Sequence, residues 1–189
     1  MKDLERNLER RGPWDVLLVD RDGLLIENRP YLSDPCQVVV IHNVAEALAV
    51  ARNAGLRIVV ISNQSGIARN LLTWTELRAV NKRVNDLLGP FEAWYICPHL
   101  PDAGCECRKP SPGMIWRAAE ELRIPAHRCL MVGDRLSDVQ AADRAGASGV
   151  LIPTSETPYE EVTLAPMVFE NLLTLVWWMT RGSESHACE

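Results

Sequence analysis

Asp20-Arg21-Asp22-Gly23 sets two carboxylates one residue apart, after the apolar run Val16-Leu17-Leu18-Val19 and before a glycine. The run reads as a buried strand, so the pair stands at a strand's exit. On a strand, residues i and i+2 share a face, and both carboxylates can approach one site. Such a pair can hold Mg²⁺ and attack phosphorus, one member ionised as nucleophile and the other carrying a proton for the leaving group. Gly23 permits a tight turn behind them. Taken alone, the segment is also an ordinary surface turn.

Three later segments bear on that choice. Ser62-Asn63-Gln64 follows the β-branched run 57–61. A hydroxyl there can donate to a phosphoryl oxygen, and Asn63 can orient substrate or nucleophile. In Arg108-Lys109-Pro110 the lysine is a compact charge suited to phosphate and crowded carboxylates, and the arginine a planar fork for a second oxyanion. Gly133-Asp134-Arg135-Leu136-Ser137-Asp138 follows another apolar run, 129–132. Oxygen ligands suit Mg²⁺, which keeps water and substrate phosphate as its other ligands. Asp134 is the better direct ligand, with Asp138 one helical turn away and placed to hold a metal-bound water. Individually these segments also read as loop starts and solvated charges. Asp143 reads as surface.

A second constellation is Cys97-Pro98-His99 followed, after five residues, by Cys105-Glu106-Cys107. Three thiols and one imidazole suit tetrahedral zinc. None lies in the carboxylate segments, so the zinc reads as structural, a staple for a loop poor in apolar residues. Clustered Cys with His points to a reducing compartment rather than to disulfides. Cys36, Cys129 and Cys188 are scattered, and His42, His127 and His186 have no partner pattern. The six tryptophans are not spaced as a base-stacking platform and read mostly as partly buried packing residues. Trp74, close in sequence to Arg69, is a candidate to border the pocket.

The elements that must carry these groups alternate. Strands are expected over 15–19, 57–61, 92–96, 129–132 and 148–152. Val44, Ala47, Leu48 and Ala51 mark a helix that Gly55 stops. Another starts near Thr73 with Glu76 placed for a capping box and ends at Gly89-Pro90. Two more are expected over 115–122 and 139–145, with 98–113 as loop and 38–41 as an apolar run of undecided type. This predicts an α/β fold, a mostly parallel sheet with helices on both faces. Asp20, Ser62, Cys97 and Asp134 all fall where strands end, the edge that lines the crevice in such sheets.

The 189 residues suffice for one domain with a core, expected over about 14–180 with 1–11 and 181–189 flexible. At 47% apolar, 24% charged and a formal charge of -5, the chain reads as globular, soluble and no nucleic-acid binder. No apolar h-region is visible near the start, and no stretch approaches the roughly 20 residues that span a bilayer. A cytoplasmic monomer without a membrane partner is expected. Trp177-Trp178 is read as packing a terminal helix onto the domain.

With these motifs in this order, the chain resembles the haloacid dehalogenase (HAD) superfamily of phosphatases over roughly residues 16–152. The resemblance implies a HAD-like Rossmannoid three-layer sandwich. It implies that Asp20 attacks phosphorus and forms an aspartyl-phosphate. Asp22 would protonate the leaving oxygen and then activate water, with Ser62 and Lys109 binding the phosphoryl group. Mg²⁺ would lie on the Asp20 carboxylate, the Asp22 backbone carbonyl and Asp134, supported by Asp138. The Cys/His loop ahead of Arg108-Lys109-Pro110, and the segment Asn63-Gln64-Ser65-Gly66-Ile67-Ala68-Arg69, look like the D-glycero-D-manno-heptose-1,7-bisphosphate 7-phosphatase group. That group is similar to the histidinol-phosphate phosphatase domain. By this resemblance there is no large cap domain, Cys97, His99, Cys105 and Cys107 hold zinc, and Asn63, Arg69 and Arg108 contact a small phosphorylated sugar. The chain departs from the group at Ser62 (often Thr), Asn70 (often Gly), Arg135 (often Lys), in residues 28–31, and at 38–43, which lack the usual Pro-Gly helix entry. Competing readings are a phosphatase for histidinol phosphate or another small phosphomonoester, and a non-catalytic zinc-containing interaction protein.

Overall fold

The computed structural model describes residues 12–180. The expectations for 1–11 and 181–189, with Cys188 and His186, lie outside the described residues. β1 (Val16–Val19), β2 (Arg57–Asn63), β3 (Ala93–Cys97), β4 (Cys129–Gly133) and β5 (Ser148–Leu151) pair in parallel in the order β3-β2-β1-β4-β5. The helices are α1 (Val44–Asn53), α2 (Trp74–Leu88), α3 (Gly113–Leu122), α4 (Leu136–Ala145), α5 (Tyr159–Leu164) and α6 (Leu172–Thr180).

Strand alternation splits the core in two. Leu17, Val19, Ile58, Val60, Leu130 and Val132 face α1, α2 and α6. Val16, Leu18, Val59, Ile61, Cys129 and Met131 face α3 and α4. Both faces are covered, which is why the strands read as continuous apolar runs. The first two crossovers lie on one face and the next two on the other. The direction in which successive strands are added therefore reverses beside β1, and the crevice opens at the carboxyl end of that central strand.

The local signals for helix ends hold. Thr73 Oγ1 accepts from the Glu76 N–H at 3.2 Å, while Glu76 accepts from the Thr73 N–H at 2.8 Å, closing the capping box. Gly55, at φ 78°, follows the end of α1. Two elements differ from expectation. α4 begins at Leu136 rather than 139, because the Asp138 carboxylate accepts from the Arg135 N–H and Glu161 from the Leu136 N–H, satisfying orphan donors of the first turn. The run 38–41 joins neither sheet nor helix. Val40 instead bridges Ile26 antiparallel, with Glu27 N–H donating to Val39 and Ile41 N–H to Leu25.

Trp178 of α6 lies 6.2 Å from Trp14 and 5.4 Å from Phe169 between ring centroids, so the terminal helix packs on the domain as expected. Trp14 is buried and Trp94, Trp177 and Trp178 are half-buried against the core, as expected for most of the tryptophans, while Trp74 and Trp116 are exposed. No helix among the described residues is long and apolar enough to cross a membrane.

Candidate active site

Parallel register brings the polar strand ends to one edge. Val19 of β1 sits level with Val60 of β2 and Val132 of β4, and the Asp20 N–H donates to Val132 at 2.9 Å. Asp20, Ser62 and Asp134 thus emerge side by side. Carboxylate oxygens of Asp20, Asp134 and Asp138 lie within 4.8 Å of one another. Two glycines make room for them. Gly23 holds φ 77°, and a Cβ there would strike the Asp134 carboxylate; one on Gly133 would strike Asp138.

Lys109 is the counter-charge. Its Nζ lies 3.0 Å from Asp20 Oδ1 and 2.5 Å from Asp138 Oδ1, and donates to the Ile61 carbonyl at 2.8 Å. Burial works against its charge, but Asp138 and Asp20 prevail and hold its pKa above the usual lysine value. One ammonium does not balance three carboxylates. Burial, with further push from Asp138 and Asp22, raises Asp20 to about 7 although Lys109 opposes it. Burial, then Asp20 and Asp138, raises Asp134 to about 8. An all-oxygen donor set with excess negative charge fits a hard divalent cation such as Mg²⁺.

Asp22 faces the same crevice but is held differently. Both its oxygens accept from Arg21 Nε and Nη2 at 2.9–3.2 Å, and Oδ2 also accepts from Gln64 Nε2 at 2.7 Å. Gln64 Nε2 reaches Ser62 Oγ at 2.9 Å as well. Asn63 holds the main chain of Lys109 at both ends, its Oδ1 accepting from the Lys109 N–H and its Nδ2 donating to the Lys109 carbonyl, each at 3.1 Å. Sequence reasoning missed Arg21, Gln64 and Asn81 as site residues. The only signal for Arg21 was its place between two candidate catalytic groups; for Asn81 on α2 there was none.

The Cys/His loop joins the end of β3 to this site. Cys97 is paired in register with Asn63, and the Gln64 N–H donates to the Cys97 carbonyl at 2.7 Å. Sγ of Cys97, Cys105 and Cys107 and Nδ1 of His99 gather with separations of 3.2–3.7 Å between the closest pairs. A tetrahedron with zinc–sulfur arms of about 2.3 Å has edges of about 3.8 Å, so the four donors suit a closed site. Without a metal, burial pushes the Cys97 thiol up to about 12 and raises Cys107, while at Cys105 burial is outweighed by the Arg108 amide and neighbouring thiols, which bring it down to about 7.

Asp20, Asp22, Lys109, Asp134 and Asp138 line a cavity of about 730 Å³. Its outer wall carries Arg29, Arg108 and Arg135, Tyr31, and Gly104 and Cys105 of the Cys/His loop. Arg108 also donates to the His99 carbonyl at 3.1 Å, and Arg135 is paired with Glu161 at 2.6 Å. Of the sequence-selected residues, Asn63 and Arg108 line the cavity. Ser62 is buried just behind it. Arg69 is exposed and, like Trp74, is not among the lining residues.

The profile of the HAD-hydrolase-like family matches residues 106–175. The D-glycero-beta-D-manno-heptose-1,7-bisphosphate 7-phosphatase of Mesorhizobium japonicum is 40% identical over 149 residues, covering 72% of this chain and 69% of its own. That of Pseudomonas putida is 34% identical over 168 residues, covering 85% and 96%. This chain is a HAD-superfamily phosphatase. Within the HAD phosphatases it is closely related to the D-glycero-D-manno-heptose-1,7-bisphosphate 7-phosphatase family. The crystal structure of D,D-heptose 1,7-bisphosphate phosphatase from Bordetella bronchiseptica, complexed with magnesium and phosphate, matches it with a TM-score of 0.79 at 30% identity, covering 86% of this chain and 96% of the other. The HAD phosphatase reading accounts for the acidic cluster, since the reaction is Mg²⁺-dependent hydrolysis of a phosphomonoester.

Proposed function

We propose that this HAD phosphatase removes the 7-phosphate of D-glycero-D-manno-heptose 1,7-bisphosphate through an aspartyl-phosphate on Asp20. The observation that carries the reading is the meeting of Asp20, Asp22, Lys109 and Asp134 in one cavity whose outer wall is rich in arginine. Mg²⁺, held by the Asp20 carboxylate, the Asp22 main-chain carbonyl and Asp134 with Asp138 in support, supplies charge neutralisation when bound. An Asp20 oxygen attacks phosphorus, and the phosphoryl group is held by the Lys109 ammonium; the Ser62 hydroxyl, buried behind the lining beside Gln64, is assigned to the same group by its motif alone. Asp22 gives its proton to the bridging oxygen as that bond breaks. The sugar departs as an alcohol. Asp22, now ionised, takes a proton from water, whose oxygen attacks the same phosphorus and releases inorganic phosphate from Asp20.

Arg108 and Asn63 are the substrate-side residues this reading favours; Arg69, exposed and not among the lining residues, is supported only by its motif. Zinc on Cys97, His99, Cys105 and Cys107 is the structural cofactor, stiffening the wall that Arg108 belongs to. The reading takes the chain as one domain without a large cap, working as a monomer in a reducing compartment. A phosphate-release assay with Mg²⁺ tests it, comparing the heptose bisphosphate with histidinol phosphate and other phosphomonoesters. The heptose bisphosphate is expected to give the highest kcat/KM, and preference for histidinol phosphate would overturn the substrate. Asp20→Asn is expected to abolish turnover in folded, Mg²⁺-loaded protein; retained turnover would remove the nucleophile.

A further inference from the structure

Arg21 is the largest fully buried side chain of the described residues, at 1% exposure, and the reaction as written leaves it without a task. An arginine at a strand exit ordinarily extends into water. Taking its charge inside is costly unless every donor finds a partner. Here the partners are specific. Nε and Nη2 form a fork on the Asp22 carboxylate, and Nη1 donates to Asn81 Oδ1 at 2.7 Å. Asn81 belongs to α2, whose apolar face is locked into the core by Leu77, Val80, Val84 and Leu88. The fork is therefore anchored to a rigid element sixty residues further along the chain. Gln64 closes the network from β2's exit, reaching Asp22 Oδ2 and Ser62 Oγ with one nitrogen.

The two oxygens of Asp22 are not equivalent in this network. Oδ2 accepts from Arg21 and Gln64, whereas Oδ1 accepts from Arg21 alone. The Asp22 carboxyl, held by this network, is among the groups that line the cavity. A carboxylate swinging about two side-chain torsions would meet the bridging oxygen in only a fraction of its conformers. Holding it in one conformer is the kind of contribution that positioning makes to proton transfer. A fully satisfied buried network supplies that rigidity.

We propose that Arg21, anchored by Asn81 and assisted by Gln64, is a positioning residue that fixes the Asp22 carboxyl in one conformer for proton delivery to the leaving oxygen. The inference rests on the reading of Asp22 as proton donor. It also explains why an arginine rather than a lysine occupies the position, since only a planar fork holds both carboxylate oxygens and still reaches Asn81.

The readout is dependence on the leaving group. An alkyl phosphate needs the proton for its alcohol to depart, while p-nitrophenyl phosphate releases a stabilised phenolate with little help. Values of kcat/KM report the steps through transfer to Asp20 and are independent of the later water attack. Four proteins are compared with Mg²⁺ present: the native chain, Asn81→Ala, Arg21→Lys and Asp22→Asn. The substrates are p-nitrophenyl phosphate and the sugar phosphate selected in the assay above. Asn81→Ala sits on a half-buried helix position and is expected to fold. Its kcat/KM should fall about tenfold or more on the sugar phosphate and less than about threefold on the aryl ester, a fraction of the roughly 10²–10⁴-fold that general acid catalysis supplies. Arg21→Lys should show the same disparity, larger in size. Equal losses on both substrates, or no loss, in Asn81→Ala would overturn the positioning role while Asp22→Asn still shows the disparity. Equal losses in Asp22→Asn itself would overturn the proton-donor reading and this inference with it.

Discussion

Two asparagines hold backbone angles that few side chains tolerate. Asn70, read from the sequence as standing where the resembled group often has glycine, sits at φ 55°, and Asn43, just ahead of α1, sits at φ 64°. Asparagine is among the non-glycine residues that best tolerate this region, so both turns are kept without glycine. Gly23 has no such latitude, because it combines φ 77° with direct contact to the Asp134 carboxylate. Gly23→Ala is expected to displace Asp134 and lower kcat/KM by about 10²-fold or more, as misplacement of about 1 Å does in an oriented site; activity within threefold of native would contradict this. The raised pKa values of Asp20 and Asp134 make a second residue-level prediction. In metal-free protein both carboxyls hold protons more tightly folded than unfolded, where the ordinary value is 3.8. Their contribution to stability is complete below that value and is lost as pH rises through about 7 and about 8. Mg²⁺ displaces those protons. The gain in melting temperature on adding MgCl₂ should therefore grow from about pH 6 to about pH 9. A gain that does not change across that window would count against the cluster as the cation site.

At the scale of elements, the Cys/His loop and the start of α4 illustrate two ways of supporting a site without touching substrate. The loop 98–112 has little apolar content to bury, and its His99, Cys105 and Cys107 gather with Cys97 at the end of β3 instead. Protein purified without chelators is expected to carry about one zinc per chain. Cys107→Ser should lose that stoichiometry and melt at lower temperature, since metal binding is folding free energy here; zinc-free native protein would refute the structural role. At α4 the first turn is completed by Asp138 within the helix and by Glu161 from α5. The sequence pattern placed the helix start three residues late, because only Val139 onward repeats with an apolar period. The polar first turn is stabilised by side chains that periodicity does not register.

The whole molecule binds its site through the sheet order. β1 lies at the centre, and β2 and β4 flank it, so three chain segments separated by tens of residues deliver Asp20, Ser62 and Asp134 to one edge. Nothing in α6 lines the cavity, yet Trp178 seats it against Trp14 just ahead of β1. Trp178→Ala should cost about 2–4 kcal/mol, measured as a fall in the urea midpoint, with kcat per folded molecule unchanged. A large loss of kcat at full folding would show that α6 reaches the site after all.

The sequence by itself determined the element order, the parallel α/β class, the strand-end positions of the carboxylates and the two clusters of residues whose donor atoms could hold a metal. These follow from apolar periodicity and from residue types whose chemistry is local. Tertiary structure alone decided the rest. It buried Arg21 on Asp22 and Asn81, turned the Asn63 amide onto the Lys109 main chain, placed Arg135 against Glu161, and left Arg69 outside the cavity lining. Each of those outcomes is a side-chain direction or a contact between distant segments. Such contacts are set by how helices seat on the sheet, which no period of 2 or 3.6 in the chain encodes.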